Sequence, residues 1–578
     1  MNFLHISKIT TRDESIKTEY ENEYYMGPWC IDYFDILSEE KKYLVESYMD
    51  YNQMQNNKLY TDDVFDFFLN YLYIALNKYN NVNYSISFWK LILSNWLTLT
   101  LDQVHFYFNR LKEIDDLGIK LHVYTDTSFP YTTLSQVQER KAFADEEYLH
   151  SLLSIIIENF IFKNITFSKK KIINNIDYKR KYIKKSAFIL LKKKIYWFFL
   201  KKNKARYLLY SLIGTSKFEK FLIAIFFKEF SFSYKEKLLL GGSPGLKSLD
   251  YCDDSLNDEF FNIYVNFLKK ALPSTLTDNF HLFIDNCSDY KNKKVCLASS
   301  GNYQDEQLFE LALAKDYGTK VISMEEGADG APKINGFLRF TLDPYDAFVS
   351  WGWQSNNKSK SKIFVTSSSR LSKLLNIHME RFDKILYLTY YLNVNFSFYN
   401  SMIIHNPKYL ENKKRFIYEL SNTKSAENLV VKTHQFSKRI NGEEDKIYMK
   451  QWGINYSLHN NPKLTVSSCA LLYVDYLSTA IYEALVANTP MIICIDEDVT
   501  IPSSDLKEIF DDFTILGVVF KTPQEAAIKI NEIFLDREKF WHQESIQKVR
   551  HKFIDMLART NKNWFSEFRN TMNKIEMG

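Results

Sequence analysis

The chain is short of residues that cross-link, interrupt or span. Its six cysteines, Cys30, Cys252, Cys287, Cys296, Cys469 and Cys494, form no CxxC pair and have no zinc-ligand spacing. That argues against a disulfide framework and a structural metal site and leaves buried, reduced thiols. Glycine and proline are scarce, at 16 and 11 in 578 residues. No apolar run approaches the roughly 18 residues that cross a bilayer. Met1–Thr10 lacks a basic stretch leading into a long apolar core, so no secretory signal is expected and the protein reads as cytoplasmic.

What is present is ordinary in amount and uneven in placement. Hydrophobic residues make up 46% and charged residues 25%, as in globular proteins, and the length calls for at least two domains. The 45 Phe and 39 Tyr accompany abundant Lys, Ile and Asn, a bias of AT-rich coding, so an aromatic residue is not functional merely by being there. Net charge is +4, yet Lys163–Lys220 holds 18 Lys or Arg against Asp177 and Glu219, which is +16 and leaves −12 for the rest. Lysine clusters interleaved with Ile, Phe, Tyr and Trp suit an anionic membrane surface, at about 1 kcal/mol per charge. No nucleic-acid motif accompanies them, and a nucleic-acid partner is not expected.

Periodicity gives the organisation. Apolar residues three and four apart predict helices over 61–79 and 84–112, with Trp89, Trp96 and Phe106 on a packed face. From Lys293 onward strands and helices alternate: strands are predicted at 295–299, 320–324, 347–351 and 362–366, then at 384–390, 427–431, 471–474 and 491–495. Such alternation implies parallel sheets with covered faces. Thr522-Pro523-Gln524-Glu525 predicts a helix start with a capping box and Pro in the first turn.

Three segments could carry chemistry. In LLYVDYLSTAIYEAL (471–485) a strand ends at Asp475, and Ser478-Thr479 open a helix. Hydroxyls and free N–H groups at a helix N-terminus favour a phosphate, and Glu483, one turn beyond Thr479, could hold ribose hydroxyls. In VVKTH (430–434), Lys432 and His434 fall on one side of a strand end, where open α/β sheets bind ligands. In MEEGADG (324–330), Glu325 and Glu326 close a strand and are followed by Gly327. One of two adjacent carboxylates suits the base that takes an acceptor hydroxyl's proton. Gly301, Asn302, Gly327 and Asp475 are the expected cleft lining. Trp351-Gly352-Trp353 reads as packing.

Taken in order, GPWC (27–30), VNYSISFWKLILSNWL (82–97), the glycines of 327–330, SWGW (350–353), DYLSTAIYEAL (475–485) and TPQEAA (522–527) resemble the transferase family of bacterial O-antigen and surface-polysaccharide loci, nearly end to end. That family usually has Gln-His-Gly-Gly where this chain has Glu325-Glu326-Gly327-Ala328. The acidic pair is similar to the motif of bacterial sialyltransferases, which also carry a His motif and a Ser/Thr pair. Their His-Pro is His434-Gln435 here.

The resemblance implies an α/β, GT-B-like fold: two Rossmann-like domains facing a cleft, with a large, mostly helical N-terminal elaboration. The expected domains are an acceptor-side domain at 1–375 with a helical, basic insertion at about 60–280, a nucleotide-sugar domain at 376–521, and helices at 522–578 packing back across both. It implies a metal-independent glycosyltransferase without cofactor. Glu325 or Glu326 would be its base, with Lys432, His434, Ser478, Thr479 and Glu483 on the donor. The donor would be a nucleotide sugar, foremost a CMP-linked acidic sugar, and the acceptor a surface glycan or glycolipid. The segment 163–220 would hold the protein to the inner face of the cytoplasmic membrane. A polyol-phosphate transferase using a CDP-linked donor and a non-catalytic scaffold are the rival readings.

Overall fold

All strand pairs among the described residues are parallel, and they form three separate sheets. A computed structural model describes residues 2–12, 16, 19–30, 43–45, 49, 51–129, 145–173, 204–233, 258–300, 304–327, 341–354, 361–376, 381–390, 399, 406–433 and 463–578. Parallel neighbours need long crossovers, and helices supply most of them.

The first sheet has the order β2-β1-β3-β4, from β1 (Asn2–His5), β2 (Asn22–Tyr25), β3 (Leu121–Thr125) and β4 (Ile165–Lys169). Between β2 and β3 lie two long helices, α1 (Tyr51–Asn80) and α2 (Ile86–Asp116). Ser85 starts α2 by accepting the Phe88 N–H at 3.2 Å. Trp89, Trp96 and Phe106 are buried in the core, in keeping with the apolar spacing. α3 (Glu146–Glu158) connects β3 to β4.

The second sheet, of order β10-β9-β8-β7-β5-β6, consists of β5 (Tyr207–Leu209), β6 (Phe230–Phe232), β7 (Val295–Ser299), β8 (Lys320–Met324), β9 (Ala347–Ser350) and β10 (Lys362–Val365). β5 and β6 flank α4 (Lys217–Phe226), and α5 (Asp305–Asp316) joins β7 to β8. A single apolar core runs from Leu4 to Tyr345, takes in Tyr399 as well, and joins α1, α2 and α5. The predicted helical insertion at about 60–280 is therefore corrected: it contains β3, β4, β5 and β6. These strands are three to five residues long and, as in β4 with its pattern ITFSK, show little alternation. Of the basic segment 163–220, residues 174–203 lie outside the described residues.

The third sheet has the order β12-β11-β13-β14-β15, with β11 (Phe382–Thr389), β12 (Leu429–Thr433), β13 (Cys469–Val474), β14 (Met491–Cys494) and β15 (Val519–Phe520). β13 is buried at all six positions, as a strand covered on both faces must be. α6 (Asn406–Ser421) joins β11 to β12 and α7 (Thr479–Ala487) joins β13 to β14. Chain order reverses between β11 and β13, and between β5 and β7 in the second sheet. Ligands of open α/β sheets bind at such switch points, beyond the strand C-termini.

The C-terminal helices follow: α8 (Pro523–Ile533), α9 (Glu544–Leu557) and α10 (Trp564–Met577). Thr522 caps α8 through the Glu525 N–H, but the Glu525 carboxylate accepts from the Thr522 hydroxyl instead of closing the reciprocal box. α10 returns to the second sheet, where Phe568, Met572 and Ile575 complete a core with Leu209, Val295 and Ile322. Among the described residues no helix is long and apolar enough to cross a membrane.

Candidate active site

The site begins where β8 ends. Glu325 continues the strand, its N–H bonding the Val349 carbonyl at 2.9 Å. Side chains alternate along a strand, and the two glutamates part accordingly: Glu325 is wholly buried, Glu326 exposed. Glu325 Oε2 accepts the Trp351 N–H at 2.6 Å and the Trp353 indole N–H at 3.1 Å. Both tryptophans are buried, so Trp351-Gly352-Trp353 is a frame around a carboxylate as well as packing. Gly352 is required there, since at φ 152° a Cβ would stand 2.5 Å from the Met556 carbonyl oxygen of α9. Ser300, at the end of β7, accepts the Glu326 N–H at 3.1 Å.

Gly327 brings the two halves together. A Cβ on it would lie 2.7 Å from Thr479 Oγ1, in the first turn of α7. The loop after β8 thus lies against a helix that starts at the switch point of the third sheet. Ser478 is the N-cap, with extended backbone, but its side chain does not cap. Its hydroxyl instead neighbours that of Tyr476, whose own ionisation burial pushes up. The open N-terminus of α7 carries partial positive charge and N–H donors, which suit an anion.

Glu483, one turn along α7, is engaged by Arg370 at 2.8 Å from Nε and 2.5 Å from the terminal nitrogen. Arg370 lies in the connector between the second and third sheets. That connector is pinned: Ser367 donates to Glu567, Ser369 to the Ile213 carbonyl, and the Ser368 N–H to the Arg559 carbonyl.

Asp475 does not line a cleft, which corrects the expectation for it. It is 6% exposed, and the hydroxyls of Tyr387 (2.5 Å) and Tyr409 (3.1 Å) donate to its two oxygens. Burial pushes its carboxyl up to about 6, opposed by those hydroxyls and by Lys413. Tyr409 also accepts the Tyr390 N–H at 2.8 Å, so Asp475 fastens the ends of β11 and β13 where the order reverses. Lys432, on β12 and so separated from β13 by β11, is half-buried and donates to the Leu464 carbonyl. His434, Gly301 and Asn302 lie outside the described residues.

The structure therefore brings Glu326, Gly327, Ser478 and Thr479 together, with Glu483 a turn away. Sequence reasoning missed Arg370, Tyr387 and Tyr409. A lone arginine after Ser367-Ser368-Ser369 is a weak signal, and tyrosines are too common here to stand out.

An exposed carboxylate, one residue before the glycine that meets an open helix N-terminus, suits an enzyme that moves a group from an anionic carrier. The chain belongs to the LIC12162 family of transferases, whose family model matches residues 7–572. No curated protein sequence matches it. Among solved structures it is similar to a mutant of the Thermobaculum terrenum O-GlcNAc transferase, at 10% identity and a TM-score of 0.31, over 54% of this chain and 59% of that one. The chain thus spans less than two thirds of that enzyme. It is also similar to the spinosyn rhamnosyltransferase SpnG complexed with spinosyn aglycone, at 12% identity and a TM-score of 0.25, over 48% of this chain and 73% of that one. At these scores the likeness is too slight to bear on activity.

Proposed function

We propose that this transferase is a glycosyltransferase of the GT-B type that moves a sugar from a nucleotide-activated donor to a bacterial surface glycan, such as lipopolysaccharide O-antigen or capsule. The observation that carries the reading is the approach of Gly327 to Thr479, which joins the Glu326 loop to the helix N-terminus. Glu326 removes the proton of an acceptor hydroxyl as that oxygen bonds the sugar's anomeric carbon. The bond from that carbon to the donor phosphate breaks with its electron pair, and the nucleotide phosphate leaves on the N-terminus of α7. Glu325, held by Trp351 and Trp353, positions the loop. Ser478, Thr479 and His434 hold the donor, with Lys432 and Glu483 beside it. The Glu-Glu-Gly sequence favours a CMP-linked acidic sugar, and the +16 charge of 163–220 favours a peripheral place on the inner face of the cytoplasmic membrane.

Thermal stabilisation by CMP, CDP, UDP and GDP tests the reading. A ligand at a hundredfold excess over its Kd adds about 2.7 kcal/mol of stability. Stabilisation by CMP, lost in His434→Ala and Ser478→Ala, is expected. A preference for UDP or GDP would discard the CMP donor, and silence with all four nucleotides would discard the transferase site.

A further inference from the structure

α4 has two apolar faces, and among the described residues only one is covered. Ile223 and Ala224 are buried, and with Phe221 they pack on the second sheet's core. On the outside Phe218 is 68% exposed, Ile225 43% and Phe226 72%. With the half-exposed Leu222, they recur at i, i+4, i+7 and i+8, a single stripe along the helix. The helix is well formed, since Ser216 and Glu219 make a complete capping box. Beside the stripe is a groove of about 490 Å³, lined by Leu222, Phe226, Phe227, Trp564 and Phe565. Isolated surface apolar residues need no explanation, but a contiguous aromatic ridge marks a binding face.

The charges around the ridge say what it binds. Lys217, Lys228 and Lys562 are all exposed at its rim. Among the described residues, Glu219 is paired with Lys373 at 2.6 Å, Glu229 with Arg569 at 2.5 Å and Glu567 with Arg559 at 2.9 Å. Aromatic residues pointing outward within a ring of lysines match a bilayer interface, where rings enter the acyl boundary and ammonium groups meet lipid phosphates. The ridge also adjoins the site. α4 follows β5 from the same sheet edge as Glu326, Lys373 bonds the Gly214 carbonyl, and Arg370, against Gly214, holds Glu483.

We infer that α4, with Trp564 and Phe565 of α10, is an insertion surface that seats the enzyme on an anionic phospholipid bilayer beside its cleft. The inference builds on the transferase reading, because it supplies the route by which a lipid-carried acceptor reaches Glu326. It differs from simple attraction by the basic segment in requiring apolar insertion.

The full chain and its Phe218→Ser/Phe226→Ser variant should be compared in flotation with phosphatidylcholine vesicles, with and without phosphatidylglycerol. Both side chains are exposed, so the variant should melt with the wild type. The wild type is expected to float with the phosphatidylglycerol vesicles and the variant to partition roughly tenfold less or weaker still. Equal partition of the two proteins would overturn the insertion surface, as would equal binding to neutral vesicles, or a wild type that stays in solution and dimerises through this face. Nucleotide stabilisation measured on the same samples separates the two readings. A variant that loses lipid but keeps nucleotide supports the surface, and so does vesicle binding that the variant loses in a protein that binds no nucleotide, which would count against the transferase alone.

Discussion

Gly327 stands so close to Thr479 that a methyl group between them would lie 2.7 Å from the threonine hydroxyl. The hydroxyl can rotate away, so Gly327→Ala should cost the fold less than about 1 kcal/mol. It should cost function more, by displacing Thr479 Oγ1 from the helix mouth. A double-mutant cycle with Thr479→Ala, read by nucleotide affinity, should show coupling of about 1 kcal/mol. Strict additivity would mean the two residues do not share the site.

The adjacent glutamates should separate by experiment. Glu326→Gln is expected to abolish transfer while leaving the melting temperature unchanged, because the side chain is exposed. Glu325→Ala should lower stability by roughly 2–4 kcal/mol, since it leaves the Trp351 and Trp353 N–H groups buried without their acceptor. Urea titrations with activity assays on the same preparations check both, and the opposite pattern would exchange the roles.

Asp475 gives a pH dependence with a definite sign. Its folded carboxyl is raised to about 6 from 3.8, so between those values the folded state binds more protons than the unfolded chain. Its contribution to stability is full below about pH 4, declines as pH rises to about 6 and is flat above, a change of about 3 kcal/mol at most. Asp475→Asn cannot titrate. The stability of the variant relative to wild type should therefore grow across that window, as followed by chemical denaturation at stepped pH, and a constant difference would refute the assignment.

Arg370 and Glu483 bridge the connector and α7 with side chains 42% and 21% exposed. Partly screened pairs are worth little, so the coupling energy from Arg370→Ala and Glu483→Ala should be about 0.5–1 kcal/mol and fall in high salt. A coupling that ignores salt would point to packing rather than charge.

Much of this was legible. The strands from Val295 to Ser299 and from Lys320 to Met324, with the helix between them, fall where the apolar runs predict, because each is a local pattern. The first sheet was not legible, since β1 pairs with β3 across more than a hundred residues and its strands are too short to show a period. The approach of Gly327 to Thr479 could be anticipated only as chemistry, by expecting a base and a phosphate site to meet. The burial of Asp475 depends on Tyr387 and Tyr409, which are 88 and 66 residues away, and no local pattern announces such a partner.

The return of α10 to the second sheet bears on how the chain is made. Strands β5 to β10 leave the ribosome long before Phe568, Met572 and Ile575, which cover their apolar face. At ordinary rates of synthesis, the roughly 200 intervening residues take about 10–40 seconds. During that interval the nascent sheet presents an uncovered apolar surface. Newly made molecules therefore pass through an aggregation-prone stage that holdase chaperones would relieve, and truncation within α10 would make that stage permanent.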